Sequence, residues 1–147
     1  MGSSLRSPIS VVCALIEREG RVFVAQRPAG KHLGGKWEFP GGKIEPGETS
    51  EQALIRECRE ELGCEIVVGR ALTPVTHDYE TVSIRLIPFV ARLAAGSGEP
   101  VAHEHAATRW IQPEEFASLD MPAADEPIIR AYLEDVLSAK DGRQNAI

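Results

Sequence analysis

The chain has few cysteines, no long hydrophobic run and no clustered basic residues. Its three cysteines form neither a CxxC pair nor an even-numbered framework, which favours the reducing cytoplasm over a disulfide-stabilised secreted protein. No segment approaches the roughly 20 consecutive apolar residues that a membrane-spanning helix needs, and no signal peptide opens the chain. We therefore expect a cytoplasmic protein without a membrane partner.

The charge of the chain indicates which classes of binding partner we do not expect. The formal net charge is -6, and the 16 lysine and arginine residues are scattered along the chain. A protein that binds DNA or RNA through the phosphate backbone needs a basic surface, and so does a protein with a membrane-surface patch. We expect no nucleic-acid polymer among the partners.

Length and composition indicate one globular domain. A chain of 147 residues, 43% hydrophobic and 26% charged, can bury most of its apolar surface without disulfides. No internal repeat and no long linker divides it. We expect a flexible leader over 1–8, a single domain over 9–140 and a C-terminal tail over 141–147.

Residue patterns predict a mixed α/β fold. Strands are predicted over 9–16, 21–26, 37–40, 65–75, 81–93 and 107–111. The first two strands form a hairpin, and a turn at 77–80 separates the fourth from the fifth. A loop is expected at 94–100, a short helix at 113–118 and a closing amphipathic helix at 127–139. Strands that enclose one helix, with another helix at the end, predict a mixed sheet between helices.

The enclosed helix is predicted to begin near Ser50 and to end at Gly63. Thr49 can cap its start, and Gln52 completes the order of a capping box. Glycine tolerates the left-handed conformation that closes helices. At roughly 100° per residue, the helix has an apolar stripe beside a wholly acidic one. The apolar stripe holds Leu54, Ile55, Cys58 and Leu62, and the acidic stripe holds Glu57, Glu60 and Glu61.

The acidic stripe is informative only together with its surroundings. Like charges one helical turn apart cost about a few tenths of a kcal/mol per pair, and Arg56 and Arg59 offset only part of this repulsion. Taken alone, the stripe fits an ordinary solvated face. Upstream lies a loop that can turn sharply and bring its backbone close to a ligand. This loop contains Gly41, Gly42, Pro46, Gly47 and Glu48.

The whole segment from Gly42 to Cys64 reads GKIEPGETSEQALIRECREELGC, with five residues between Gly42 and Glu48 and seven between Glu48 and Arg56. This arrangement resembles the signature box of the Nudix hydrolases at every fixed glycine, glutamate and arginine. The resemblance implies a Nudix α/β/α sandwich, with a mixed β-sheet between helices, and metal-dependent cleavage of a diphosphate. Cys58 and Cys64 replace bulky aliphatic residues of the box, and we expect both to behave as small buried hydrophobes.

The resemblance implies Mg²⁺ as the cofactor, with Mn²⁺ as a substitute. Mg²⁺ prefers oxygen ligands, which carboxylates on one helix face supply. Bound ions can clamp a pyrophosphate and lower the pKa of a water molecule, and they offset the charge between an acidic protein and an anionic nucleotide. By resemblance, Arg56 and Glu48 brace the helix and the loop, and Glu57 is the candidate general base. The implied metal ligands are Glu57, Glu60, Glu61 and the carbonyl of Gly41.

Two further runs, AQRPAGKHLGGKWEFPGGKIEPGE and MPAADEPIIRAYL, resemble the MutT-type branch of the family. That branch hydrolyses nucleoside triphosphates to the monophosphate and pyrophosphate, and the resemblance covers 9–137. It implies that Arg27 contacts a phosphate and that His32 lies near it; otherwise Arg27 is an exposed charge at a strand end. The residues implied to line the nucleotide cleft are Glu38, Phe39, Pro40 and Gly41.

The same branch places one more metal-binding carboxylate in the run AHEHAATRW, where this chain has Glu104. Glu104 lies in a predicted loop and could approach the helix glutamates from across the site. The flanking His103 and His105 are unsuited to Mg²⁺. We interpret both histidines as loop residues.

Asp125 stands where family members specific for oxidised guanine carry asparagine and where members that hydrolyse cytidine triphosphate carry aspartate. An ionised carboxylate only accepts hydrogen bonds and favours the exocyclic amine of cytosine or guanine. A protonated Asp125 in an apolar pocket could still recognise 8-oxoguanine, and Asp125 could also cap the closing helix. The prediction is a nucleoside triphosphate pyrophosphohydrolase acting on modified nucleotides such as 8-oxo-dGTP or, alternatively, on CTP and 5-methyl-dCTP.

Two other functions are weighed against this one. A noncatalytic Nudix module that binds a nucleotide or a partner protein typically lacks box glutamates, and none is missing here. Hydrolysis of ADP-ribose is disfavoured because the MPAADEP run matches the triphosphate branch. The sequence does not distinguish a monomer from a homodimer.

Overall fold

The computed structural model describes residues 7–145, with side chains for residues 7–139. Residues 1–6 of the predicted leader and 146–147 of the predicted tail lie outside the described residues, and these two boundaries stay predictions. The strands are β1 (Ile9–Arg18), β2 (Arg21–Gln26), β3 (Trp37–Glu38), β4 (Gly41–Lys43), β5 (Ile66–Ala71), β6 (Val75–Asp78), β7 (Ser83–Leu93) and β8 (Ala107–Ile111). The α-helices are α1 (Ser50–Leu62) and α2 (Glu126–Asn145), and 3₁₀ helices span Pro113–Ser118 and Ala123–Asp125.

The eight strands form one mixed sheet. β1 lies at its centre and runs parallel to β7 and antiparallel to β2 and β4. On one side β2 pairs with β3 and β8, and on the other β7 pairs with β5 and β6. In the part of the chain that is described, no helix has the length and apolar character needed to cross a membrane.

Each face of the sheet is covered by one α-helix. Because side chains alternate along a strand, Val12 and Ala14 of β1 pack with α1, whereas Cys13 and Leu15 pack on the opposite side in the cluster that contains Ile128 of α2. The core residues of α1 are Ala53, Leu54, Cys58 and Leu62. The fold is therefore the predicted α/β/α sandwich with a mixed sheet between helices.

Helix α1 has the predicted limits. The Thr49 hydroxyl accepts a hydrogen bond from the Gln52 amide at 3.1 Å, and the Gln52 side chain accepts one from the Thr49 amide at 2.9 Å. Gly63 ends the helix with a φ of 63°. Cys58 and Cys64 are buried as expected, and burial raises the pKa of both thiols.

One segment expected to be a loop is a strand. Gly41–Lys43 pairs with β1, placing Gly42 opposite Val12 and Gly41 opposite Cys13. A Cβ on Gly41 would lie 1.9 Å from the Val12 carbonyl oxygen, so the pairing depends on glycine at this position. The glycines that suggested a flexible loop instead allow a close approach between strands.

Three predicted boundaries were wrong. The strand expected over 65–75 is two strands, β5 and β6, separated by three residues that include Pro74, a residue that cannot donate to a sheet ladder. The turn expected at 77–80 begins later, since β6 continues to Asp78 and the Tyr79 amide donates to the Val82 carbonyl. The closing helix expected over 127–139 continues to Asn145, because no proline stops it.

Candidate active site

A cleft of about 690 Å³ opens beside β1, between the loops that follow β2 and β6 and the 3₁₀ turn before α2. It brings together most of the residues singled out from the sequence. Those that line it are Arg27, His32, Glu38, Phe39, Gly41, Glu61, Glu104 and Asp125. Pro40 does not line the cleft: it is fully buried, and its carbonyl accepts a hydrogen bond from the Ala14 amide.

Glu61 lines this cleft, and its carboxyl group contacts that of Glu57, which is not itself among the lining residues. The two glutamates lie one helical turn apart on α1 and share a hydrogen bond between their carboxyl groups. Burial, followed by this contact with Glu57, raises the pKa of Glu61 to about 8, and the charge of Glu38 adds to the effect. The Gly41 amide, which donates to Glu61, acts in the opposite direction. The fold thus places negative charge where solvent compensates it poorly.

Gly42 makes room for the Glu57 carboxylate. A Cβ at this position would lie 2.4 Å from Glu57 Cδ and 2.6 to 2.7 Å from its two oxygens. The Glu57 side chain is only 17% exposed, and its Oε1 lies 2.9 Å from Arg56 Nη1. The backbone of β4 therefore packs directly against the candidate general base.

Arg56 joins the helix to the loop before it. Its Nε and Nη2 donate to the two oxygens of Glu48 at 2.7 and 3.0 Å, and Nη2 also donates to the Lys43 carbonyl at 3.1 Å. The hydrogen bond from Arg56 lowers the pKa of the Glu48 carboxyl, and the Glu45 amide adds to this effect. The contacts that the predicted bracing role requires are present.

Glu60 and Glu104 are not assembled with the Glu57–Glu61 pair. Glu60 is exposed and contacts Arg56 Nη1 at 3.3 Å, so Arg56 stands between it and Glu57. Glu104 is exposed within the lining of the cleft. Across the described residues, no group of three or more His, Cys, Asp or Glu side chains is arranged to hold a metal ion.

Glu38 is held from two sides. Its Oε1 accepts a hydrogen bond from Arg27 Nη1 at 3.1 Å, and its Oε2 lies 3.0 Å from Nε2 of His105. Arg27 Nε also donates to the His32 carbonyl at 2.8 Å. Arg27 is therefore tied into the cleft instead of being a free charge at a strand end.

His105 lies in a loop, as expected, but its side chain is not free in solvent. Its side chain is 8% exposed and lines the cleft. Ala25 of β2 pairs with Glu38 on one side and with Thr108 on the other, so pairing across β2 brings the segment before β8 near β3. No local pattern reports such a long-range pairing. His103, in contrast, contacts the Glu60 carbonyl and does not line the cleft.

Asp125 also lines the cleft. It is 8% exposed, and burial followed by the charge of Glu38 raises its pKa to about 7. Tyr79 lines the same cleft, and burial followed by the charge of Asp125 raises the pKa of its phenol. The Tyr79 ring centroid lies 6.0 Å from that of His32. Tyr79 falls within the turn predicted at 77–80, and no pattern in the sequence indicated that it lines the cleft.

Comparison with known proteins agrees with this geometry. A family model described as a NUDIX domain matches residues 11–131. The chain belongs to the Nudix hydrolase family. This confirms the family, the MutT-type branch and the hydrolase class predicted from the signature box.

Named relatives of this Nudix hydrolase act on nucleoside triphosphates. The chain is 45% identical over 126 residues to the CTP pyrophosphohydrolase of Escherichia coli strain K12, covering 85% of this chain and 91% of that protein. It is 46% identical over 80 residues to the 8-oxo-dGTP diphosphatase of Proteus vulgaris, covering 54% and 69% respectively. The solution structure of the Escherichia coli ORF135 protein matches with a TM-score of 0.77 at 40% identity, covering 91% of this chain and 93% of that one.

Nudix hydrolases need a divalent metal ion, and the residues of this one suit that need. Glu57 and Glu61 present carboxylate oxygens, the donors that hard cations prefer. Arg56 contacts Glu57, yet burial and the contact with Glu57 still raise the pKa of Glu61. A bound cation would relieve the repulsion between the two carboxylates directly, so the donor set fits such an ion.

Proposed function

We propose that this Nudix hydrolase cleaves nucleoside triphosphates to the nucleoside monophosphate and pyrophosphate, with Mg²⁺ as its physiological metal ion and Mn²⁺ as a substitute. The observation that carries the proposal is the layout of the cleft. Glu61, which contacts Glu57, lines the cleft together with Asp125 and Tyr79. A nucleotide can therefore extend from a metal-binding end to a base-binding end.

The chain's own residues then have distinct roles in the reaction. Glu57, Glu61 and the Gly41 carbonyl would hold the metal, joined by Glu60 and Glu104 once their side chains turn towards it, and the bound metal would supply charge compensation and lower the pKa of the attacking water. Glu57 accepts the proton of that water as its oxygen attacks phosphorus and the anhydride bond breaks. Arg56 orients Glu57, and Glu48 holds Arg56. Arg27 binds a phosphate of the substrate.

The base end favours a cytosine nucleotide, in keeping with the name of the relative that is 45% identical. Asp125 and Glu38 offer carboxylate oxygens, which accept hydrogen bonds from an exocyclic amine. A second candidate, 8-oxo-dGTP, is favoured by the Asp125 pKa of about 7, since the protonated form donates to an oxo group. Both substrates fit the same reaction.

The setting of the reaction is inferred from composition. Three free, buried cysteines support a location in the reducing cytoplasm. The net charge of -6 supports a mononucleotide substrate over a nucleic-acid polymer.

The test compares kcat/KM for CTP, 5-methyl-dCTP, 8-oxo-dGTP, dGTP and ADP-ribose in Mg²⁺ buffer. We expect a cytosine nucleotide or 8-oxo-dGTP to be the best substrate, with pyrophosphate and the monophosphate as products. Glu57→Gln should lower the rate by orders of magnitude without unfolding the protein, since it relieves charge crowding. Orthophosphate and a diphosphate as products, or full turnover by Glu57→Gln, would contradict the proposal.

A further inference from the structure

The histidine beside the proposed base end is more buried than its loop position suggests. The His105 side chain is 8% exposed, and Nε2 lies 3.0 Å from Oε2 of Glu38. An ionised carboxylate can only accept a hydrogen bond, so Nε2 carries the proton and donates it. Nδ1 is then left as an acceptor, and it is buried without a hydrogen-bond partner among the residues that the structure describes.

This arrangement is costly if its purpose is stability alone. A buried polar atom without a partner is destabilising, and such atoms are rare in folded proteins. An apolar side chain would fill the same space without leaving an unpaired nitrogen. What His105 contributes instead is one donor aimed at Glu38.

Arg27, which also donates a hydrogen bond to Glu38, is less firmly fixed in place than His105. The Arg27 side chain is 30% exposed, and under the proposed function Arg27 binds a substrate phosphate. The backbone next to His105 is tied to β2, because the Ala106 amide donates to the Gln26 carbonyl at 2.9 Å. If Arg27 turns towards phosphate, His105 remains as the fixed partner of Glu38.

We propose that His105 is a positioning residue that fixes the Glu38 carboxylate for recognition of the nucleobase, and so contributes to base selectivity. The inference rests on the proposed function. Each carboxylate oxygen has two lone pairs, so Oε2 can accept from His105 and still receive a hydrogen bond from an exocyclic amine. Without His105, the carboxylate rotates freely once Arg27 engages phosphate.

The test replaces His105 with glutamine, whose amide can reach the position of Nε2, and with leucine, which has no donor. For His105→Leu we expect KM for the preferred nucleotide to rise by about tenfold, the effect of losing one hydrogen bond to a charged group, with kcat changed by less than about threefold. His105→Gln should restore KM to within about threefold of the native value. His103→Leu, in the same loop but outside the cleft lining, is the matched control and should leave KM unchanged.

Two measurements separate positioning from a merely structural role. Loss of selectivity between CTP and 8-oxo-dGTP is expected in His105→Leu, whereas general loosening would weaken all nucleotides alike. In a Glu38→Gln background, His105→Leu should add little further effect, since the two changes remove the same interaction. Equal weakening for every base, no rescue by glutamine, or additive effects would overturn the inference.

The proposed function and this inference fail in different ways. If the native protein hydrolyses no triphosphate of the panel, the proposed function fails whatever the variants do. Binding of CMP and GMP by calorimetry then tests His105 directly: a preference that His105→Leu abolishes supports the positioning role, and equal affinities in both proteins, or no binding at all, overturn it.

Discussion

Asp125 is a buried acid whose proton has consequences for both recognition and stability. Its pKa rises from an ordinary value of 3.8 to about 7, through burial and the charge of Glu38. Near neutral pH it therefore exists in both protonation states. The protonated carboxyl can donate a hydrogen bond, whereas the ionised carboxylate can only accept one. The same side chain can therefore bind two kinds of nucleobase edge.

The raised pKa predicts how stability depends on pH. Between about pH 4 and 7 the folded state keeps a proton on Asp125 that the unfolded chain releases, so the contribution of Asp125 to the free energy of unfolding falls as pH rises and levels off above about 7. Asp125→Asn removes this component. As pH rises from about 4 to 7, the free energy of unfolding of Asp125→Asn relative to that of the native protein should increase by up to about 4 kcal/mol, at about 1.4 kcal/mol per pKa unit.

Chemical denaturation of both proteins at pH 4, 5, 6, 7 and 8 checks this prediction. Glu61 titrates in both proteins, so its contribution largely cancels in the difference. Any hydrogen bond changed by the amide adds a constant offset, and only the slope with pH reports the carboxyl group. Parallel stability curves would show that Asp125 ionises normally.

At the scale of elements, the site depends on β4 lying close to both α1 and β1. Arg56 secures the loop before α1 through Glu48 and the Lys43 carbonyl. Gly41 faces the β1 backbone, and Gly42 faces the Glu57 carboxylate. Adjacent glycines thus serve different purposes, one for folding and one for the position of a functional side chain.

Alanine substitutions should separate these purposes. In Gly42→Ala the new Cβ meets the end of a flexible side chain, 2.4 Å from Glu57 Cδ. Glu57 can move aside, so we expect kcat to fall by about a hundredfold or more with a small change in melting temperature. In Gly41→Ala the new Cβ meets the Val12 carbonyl oxygen at 1.9 Å, so we expect a large loss of stability.

Thermal melting and steady-state kinetics on both variants test the difference. The two substitutions add the same methyl group at neighbouring positions, and each serves as the control for the other. The interpretation fails if Gly42→Ala melts as early as Gly41→Ala, or if it keeps native kcat.

At the scale of the whole molecule, an acidic protein concentrates carboxylates along one cleft. Glu38, Glu61, Glu104 and Asp125 all line it, while the chain as a whole carries a net charge of -6. A bound cation therefore contributes to stability as well as to catalysis, because a ligand that binds only the folded state stabilises it.

Adding Mg²⁺ should therefore raise the melting temperature, and EDTA should reverse the rise. We expect the shift to shrink strongly in Glu57→Gln and Glu61→Gln. Glu51→Gln removes a carboxylate from the first turn of the same helix, away from the acidic stripe, and should keep the full shift. A shift of equal size in all three variants would place the ion elsewhere. Differential scanning fluorimetry across a Mg²⁺ titration makes the comparison.

Local signals in the sequence determined α1, its caps and its two stripes, because capping and helical periodicity involve residues within a few positions of one another. The signature box and the runs around it also determined the family and the α/β/α sandwich, and they pointed to Glu57, Glu61, Arg56 and Glu48. The glycines within 41–43 predicted a loop, since no local pattern shows that they let two strands approach.

Tertiary structure alone decided which residues share the cleft. Pairing on both sides of β2 brings His105 to Glu38, and the turn after β6 brings Tyr79 into the lining that contains Asp125. In the folded chain Pro40 is buried, and the Glu60 side chain contacts Arg56. These placements depend on contacts between residues far apart in the chain, and the raised pKa values depend on burial that only the assembled fold creates.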